Sequence, residues 1–185
     1  MTATATASAR LPGPLLAAVL AMTTPCPAHA DKGEWTVGLE PSYAFIVLGQ
    51  ESEPEGGGTG LYVHYGLGDA LALRFSGLWS GHDIEPGEED EGGLYQVVNL
   101  ALGVAYAFDL LSVVPAIEVG GGLLYLRYQG QSAYNFGLQI GVAVDYGLLS
   151  WLTVGAAFHY HAFISNPADY PVYFDAGPRV AVRWR

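Results

Sequence analysis

The side chains with the most chemical capacity recur at even spacings. His159 and His161 are two residues apart, and Asp175, Arg179 and Arg183 follow at intervals of four. In an extended chain, residues an even number apart share a face. Glu40, His64, Arg74, Asn99, Glu118, Gln139 and Asp145 stand in similar alternating surroundings. If the segments carrying His159 and Asp175 fold back symmetrically about Pro167, His159 lies opposite Asp175 and His161 opposite Tyr173. A histidine against an aspartate admits acid–base or metal chemistry. The plainer expectation is a hydrogen-bonded histidine that holds two strands together, with no catalytic residue, metal or cofactor.

Period two runs through the chain that must position these groups. From Ala133 to Tyr146, one set reads Tyr, Phe, Leu, Ile, Val, Val, Tyr, and the other reads Ala, Asn, Gly, Gln, Gly, Ala, Asp. The same split recurs around 97–106, 151–163 and 172–184. It predicts eight strands, near 34–48, 59–66, 70–81, 94–107, 113–127, 133–146, 151–163 and 171–184. Pro178 inside the last costs a ladder hydrogen bond. Three connections are tight, at 66–69, 108–112 and 147–150. Four are longer or polar, at 49–58, 82–93, 128–132 and 164–170. Tyr65, Tyr106 and Tyr146 precede the tight turns at intervals of 41 and 40 residues, so each hairpin-plus-turn unit repeats.

Composition says which face meets what. Charged residues are 14% of the chain and apolar ones 51%, with 25 glycines and 12 tyrosines. No mature segment offers the ~18 uninterrupted apolar residues of a membrane helix. A small eight-stranded barrel has room inside only for side chains that fill it. The set containing Gly103, Ala105, Gly120, Gly122, Gly137 and Gly141 suits that interior, and the large apolar set then faces lipid. The expected fold is all-β: an eight-stranded antiparallel transmembrane up-and-down β-barrel, with short turns on one side and longer loops on the other. Trp35, Tyr65, Tyr106, Tyr146, Trp151 and Trp184 would form an aromatic belt at the turn side. Trp79, Tyr125, Tyr134 and Tyr160 would form one toward the loops.

Residues 1–30 read as an export signal: Arg10, the apolar stretch Leu11 to Met22, then Ala28-His29-Ala30 as the cleavage site. The barrel is expected over 31–185. Cys26, the only cysteine, leaves with the signal, so the mature chain has no thiol chemistry. Net charge is −11, and nine of the 18 acids fall in two runs, 51–55 and 83–91, on the loop side. Such a chain lacks the basic face that nucleic acid requires. A charge run of this kind reads as a solvated loop.

The export signal, alternating strands, tight turns and closing strand resemble the small bacterial outer-membrane barrels of the OmpA/OmpX and OmpW kind. The resemblance implies an outer-membrane location and contact with lipid, including outer-leaflet lipopolysaccharide. It also implies insertion by the barrel-assembly machinery, which reads a terminal aromatic. Val180, Val182 and Trp184 fit that signal, followed here by Arg185. The expected state is a monomer with a structural or surface-interacting role; a narrow solute passage is the alternative. Lipid A deacylases are also eight-stranded barrels and carry His-x-Ser-Asn. Here His161 and Ser165 are four apart, not two, so they are not adjacent same-face neighbours. The charges inside a barrel should be paired, because an unpaired buried charge is costly. His64, near the turn end of its strand, is expected ~25 Å from His159 and His161, a membrane thickness.

Overall fold

The computed structural model describes residues 31–47, 55–84, 93–108, 113–165 and 172–185. The export signal, most of both acidic runs and Asn166-Pro167 lie outside the described residues. Eight strands follow in order: β1 Trp35–Val47, β2 Glu55–Gly66, β3 Leu71–Ile84, β4 Gly93–Ala107, β5 Val113–Tyr128, β6 Gln131–Leu149, β7 Leu152–Phe163 and β8 Val172–Trp184. Each pairs antiparallel with its neighbour, and β1 pairs with β8, so the sheet is a closed barrel. Closure leaves no open edge, the condition for a sheet in hydrocarbon, where an unpaired backbone group has no water to bond.

Two boundaries differ from the pattern read in the sequence. β2 begins at Glu55, because Gly56, Gly57 and Gly58 pair with Ala44, Tyr43 and Ser42 and extend the strand into the glycine run. The connection between β5 and β6 is not a longer loop. Tyr128 pairs with Gln131, and only Gln129 and Gly130 turn, with φ of 46° and 81°. Positive φ at both central residues is the type I′ hairpin turn, whose twist matches that of the strands. The polar letters around it signalled a loop, but they belong to strand ends.

The outer wall is apolar. Leu100, Leu102 and Val104 on β4 and Phe136, Leu138, Ile140, Val142 and Val144 on β6 are all exposed. At the tight-turn end Trp35, Tyr65, Tyr106, Tyr146, Trp151 and Trp184 face outward, as do Trp79 and Tyr134 toward the other end. Tyr125 and Tyr160 are half-buried there.

The barrel is strongly staggered. Paired residues followed once around, from Trp35 through Tyr65, Leu73, Val104, Val119, Ile140, Tyr160 and Phe174, return to β1 at Phe45, ten residues on. Strands in a closed sheet of this kind tilt by roughly 35–45°. Position along a strand is therefore a poor guide to height in the barrel.

The closing seam has one irregularity. Its ladder runs from Trp35↔Trp184 to Leu39↔Val180 and resumes at Tyr43↔Ala176 in the same register. In that register Pro41 faces Pro178, and neither has an N–H to donate. Gly177 makes the close approach possible, since a Cβ there would overlap the Pro41 carbonyl oxygen.

Candidate functional site

The interior has two layers. In the middle and toward the tight turns lies a network of charges. Glu40, Arg74, Asn99, Glu118, Gln139, His159, His161, Asp175, Arg179 and Arg183 are all buried, each at most 8% exposed. Asp145 and His64 are partly buried. Glu118 is the hub. Its Oε1 accepts from Arg179 Nη1 at 2.9 Å. Its Oε2 lies 2.9 Å from Arg74 Nε and 2.9 Å from His159 Nε2. Three strands place these donors: the inward faces of β3, β7 and β8 all look across at β5.

Histidine roles follow from partner chemistry. His159 Nδ1 lies 3.0 Å from Asp175 Oδ1, while its Nε2 faces Glu118. Ionised carboxylates only accept, so both ring nitrogens donate, and the ring is the cationic form. His161 differs. The Asn99 amide donates to its Nδ1 at 3.0 Å, which puts the proton on Nε2, and that donates to Asp175 Oδ2 at 2.6 Å.

Arg179 donates Nε to Asp145 Oδ1 at 2.6 Å and Nη2 to Oδ2, a forked pair that fits guanidinium geometry. Arg74 donates to Glu40 Oε2 at 3.3 Å and to Ser76 Oγ at 2.7 Å. Both guanidiniums lie over the ring of Tyr62, Arg74 Cζ at 5.7 Å and Arg179 Cζ at 5.2 Å from its centroid. Gln139 lines a small cavity with Asn99 and His161. Arg183, nearer the turns, donates Nε to the Ser150 carbonyl at 2.9 Å. Four luminal carboxylates, Glu40, Glu118, Asp145 and Asp175, thus meet two guanidiniums, Arg74 and Arg179, and the His159 imidazolium.

The second layer, toward the loop end, is apolar. Ala44, Ile46, Tyr95, Val97, Leu124, Leu126, Phe163 and Tyr173 pack together there. Level with them, as register partners of Val97 and Tyr95, stand Ser80 and His82; Ser80 Oγ lies 3.0 Å from His82 Nε2 and 2.9 Å from the Tyr173 hydroxyl. The sequence pattern put large apolar residues outside only, so it missed this layer. Face parity was the available signal, because Tyr62, Ser76, Ser80 and His82 share parity with His64 or Arg74.

His64 corrects an expectation. It is not a membrane thickness from His159: its Nε2 is 3.9 Å from Glu118 Oε1, and His159 holds the other oxygen of the same carboxylate. The stagger puts the turn end of β2 beside the middle of β5 and β7. Even so, among the described residues no cluster of three or more His, Asp or Glu side chains is arranged to hold a metal ion. Ser165 is not a partner of His161 either. It is exposed, accepts from Phe136 N at 2.8 Å and ties the end of β7 to β6, while both nitrogens of His161 are engaged inside.

A closed eight-stranded barrel with an apolar wall and a filled polar interior defines a small β-barrel membrane protein. A model of the outer membrane protein beta-barrel domain matches residues 15–176, and the chain belongs to that family. Solved structures share the fold at low identity. Neisserial surface protein A aligns with a TM-score of 0.65 at 13% identity, over 83% of this chain and 100% of that one. Ail, the attachment invasion locus protein of Yersinia pestis, crystallised with the heparin analogue sucrose octasulfate, aligns with a TM-score of 0.55 at 14% identity over 83% and 99%. The outer membrane protein OprG of Pseudomonas aeruginosa gives 0.56 at 12% over 84% and 97%. No curated protein matches the sequence. The family and these neighbours mark the chain as a bacterial outer-membrane protein.

Proposed function

We propose that this protein is a plugged, non-enzymatic, monomeric barrel that holds its acidic loops at the cell surface, with a structural or surface-interacting role. Short turns face the periplasm and the longer connections face outward, the usual orientation of such barrels. The observation that carries this reading is the filled lumen. Two cavities inside the charge network measure only about 10 Å³ each, room for at most a single water molecule, and a larger one of about 60 Å³, lined by Tyr62, His64, Asp145, Arg179 and Arg183, lies toward the tight turns. Above them a mainly apolar layer packs across the lumen, and its polar groups Ser80, His82 and the Tyr173 hydroxyl are bonded to one another. The serine–histidine geometry of an acyl hydrolase is absent at His161 and Ser165, which supports the non-enzymatic reading. A polyanion such as the one bound to Ail suits this chain poorly, because its outward loops carry acids and no lysine or arginine.

Planar-bilayer recording of the refolded protein tests the plug. The expected result is silence at moderate voltage. Steady single-channel openings would overturn it and favour the alternative, passage of small solutes.

A further inference from the structure

The loop-side mouth of the barrel holds a cleft that the plug leaves unused. Its volume is about 260 Å³, and Tyr95, Leu126, Tyr128, Gln129, Gln131 and Ala133 line it. The β5–β6 hairpin forms most of it. Ladder pairing of β6 with β7 begins at Gly137↔Phe163, so among the described residues Gln131 to Asn135 pair only with β5. The hairpin therefore projects past the end of β7, and its inner face looks across the mouth. Leu126 is buried inside, so Tyr128 shares its inward face, as do their ladder partners Ala133 and Gln131. Arg127 and Ser132 also border the cleft but belong to the opposite face of the sheet. Leu126 and Tyr95 are part of the apolar layer, so the floor of the cleft is the top of the plug.

Tyr128 is held as a platform. Its ring lies 5.8 Å from that of Tyr95, tilted by 40°, and its hydroxyl accepts from Gln129 Nε2 at 3.2 Å. The type I′ turn fixes the backbone that follows it. Tyr95 is buried and Tyr128 half-buried, so one ring backs the other. The polar groups of the cleft are amides. Gln129 and Gln131 are exposed, and an amide both donates and accepts. No carboxylate lines the cleft, and both acidic runs of the sequence fall in connections on this side. An anion is therefore repelled on approach, and a cation finds no negative group in the cleft to hold it. The volume of about 260 Å³ lies below the ~300–1,000 Å³ of drug-sized sites, so it admits one ring rather than a chain.

We propose that this cleft binds one neutral pyranose, the terminal sugar of a glycan presented from the solution side. The ring's C–H face, slightly positive, lies on the negative face of Tyr128, and its hydroxyls meet the amides of Gln129 and Gln131. The cleft opens on the inner face of the hairpin, away from the lipid-facing wall. Sugars of the leaflet's own lipids meet the other face. The site gives the surface-interacting role a ligand class, and it rests on the outward orientation of the loops proposed above.

The test is saturation-transfer NMR of the refolded mature chain in phospholipid nanodiscs, titrated with the methyl pyranosides of glucose, galactose, mannose and N-acetylglucosamine, and with methyl glucuronide. At least one neutral pyranoside is expected to bind with a dissociation constant on the order of 1 mM, the scale for a ligand of about 13 non-hydrogen atoms. The strongest transfer should fall on its ring C–H protons, and the glucuronide should bind more weakly. Tyr128→Ala and Gln131→Ala should each weaken binding about three- to tenfold, the scale of one net contact, whereas Tyr128→Phe keeps the ring and most of the affinity. Excess lipopolysaccharide leaves the contact in place. Four results overturn the proposal: no transfer to any neutral pyranoside, preference for the glucuronide, unchanged binding in both alanine variants, or displacement by lipopolysaccharide, which would assign the cleft to the leaflet's own sugars. Gln131 is exposed, so its variant folds, and the heat-modifiable gel band checks the others. Nanodiscs leave both mouths open, so an inverted orientation or a conducting barrel would not alter these outcomes, and the two readings fail separately.

Discussion

Glu118→Gln is the sharpest probe of the luminal network. Glu118 is 1% exposed and receives Arg74, Arg179 and His159 on its two oxygens. A glutamine keeps the size but offers one acceptor oxygen. Its NH2 group then faces at least one cationic donor, with no acceptor between them. Arg74, Arg179 and His159 lose the one negative charge that all three share. Removing one member of a buried pair costs about 3–5 kcal/mol. With a urea m-value of about 2 kcal/mol/M, the unfolding midpoint in lipid vesicles should fall by roughly 2 M. The readout is the heat-modifiable gel band or tryptophan fluorescence across a urea series. Adding Arg74→Met removes the matching positive charge, so the double variant should lose less than the two single losses together, by about 1 kcal/mol or more. A Glu118→Gln midpoint within 0.3 M of wild type, or strict additivity with Arg74→Met, would refute a dry, coupled lumen. Either result would mean that water screens these charges.

Other consequences are local. A Cβ at Gly122 would overlap the Leu100 carbonyl oxygen and crowd the Ala101 Cα, both backbone atoms that cannot swing away; Gly122→Ala should lower stability by about 1–3 kcal/mol or more, and an unchanged urea midpoint would count against the close β4–β5 approach. Replacing Pro41 and Pro178 with valine supplies two N–H groups at the closing seam, each worth about 0.5–1.5 kcal/mol once bonded. A higher midpoint is expected, and a lower one would mean that the break is needed for closure. Gln129→Asn should raise stability by a few tenths of a kcal/mol, because asparagine takes positive φ more readily in a type I′ turn; a decrease would argue against that turn.

Much of the architecture was legible because period two is an unambiguous signal when one face is lipid and the other a narrow lumen. The symmetric fold-back about Pro167 even placed His159 opposite Asp175 and His161 opposite Tyr173, the pairs the structure has. The sequence was silent where three-dimensional closure decides. His64 looked remote because its height was counted along its own strand, whereas a ten-residue stagger brings it to Glu118. Gln129-Gly130 looked like part of a loop because hydrogen bonding, not polarity, defines a strand end. Ile46, Val97, Leu124 and Leu126 share the parity of polar luminal residues, and nothing in a single strand's pattern says that an interior can change from charged to apolar along its axis.

That change of character bears directly on permeation. A charge network alone leaves polar walls along which water and ions could thread when side chains rotate. An apolar layer alone would seal the barrel, yet it would leave the lower lumen to be filled with water or uncompensated charge. Here the paired charge network occupies the middle, and the packed layer of Ile46, Val97, Leu124, Leu126 and Phe163 closes it toward the loops. Opening a path would require breaking both at once. The two-layer interior therefore argues for a plug more strongly than the charge pairs do by themselves.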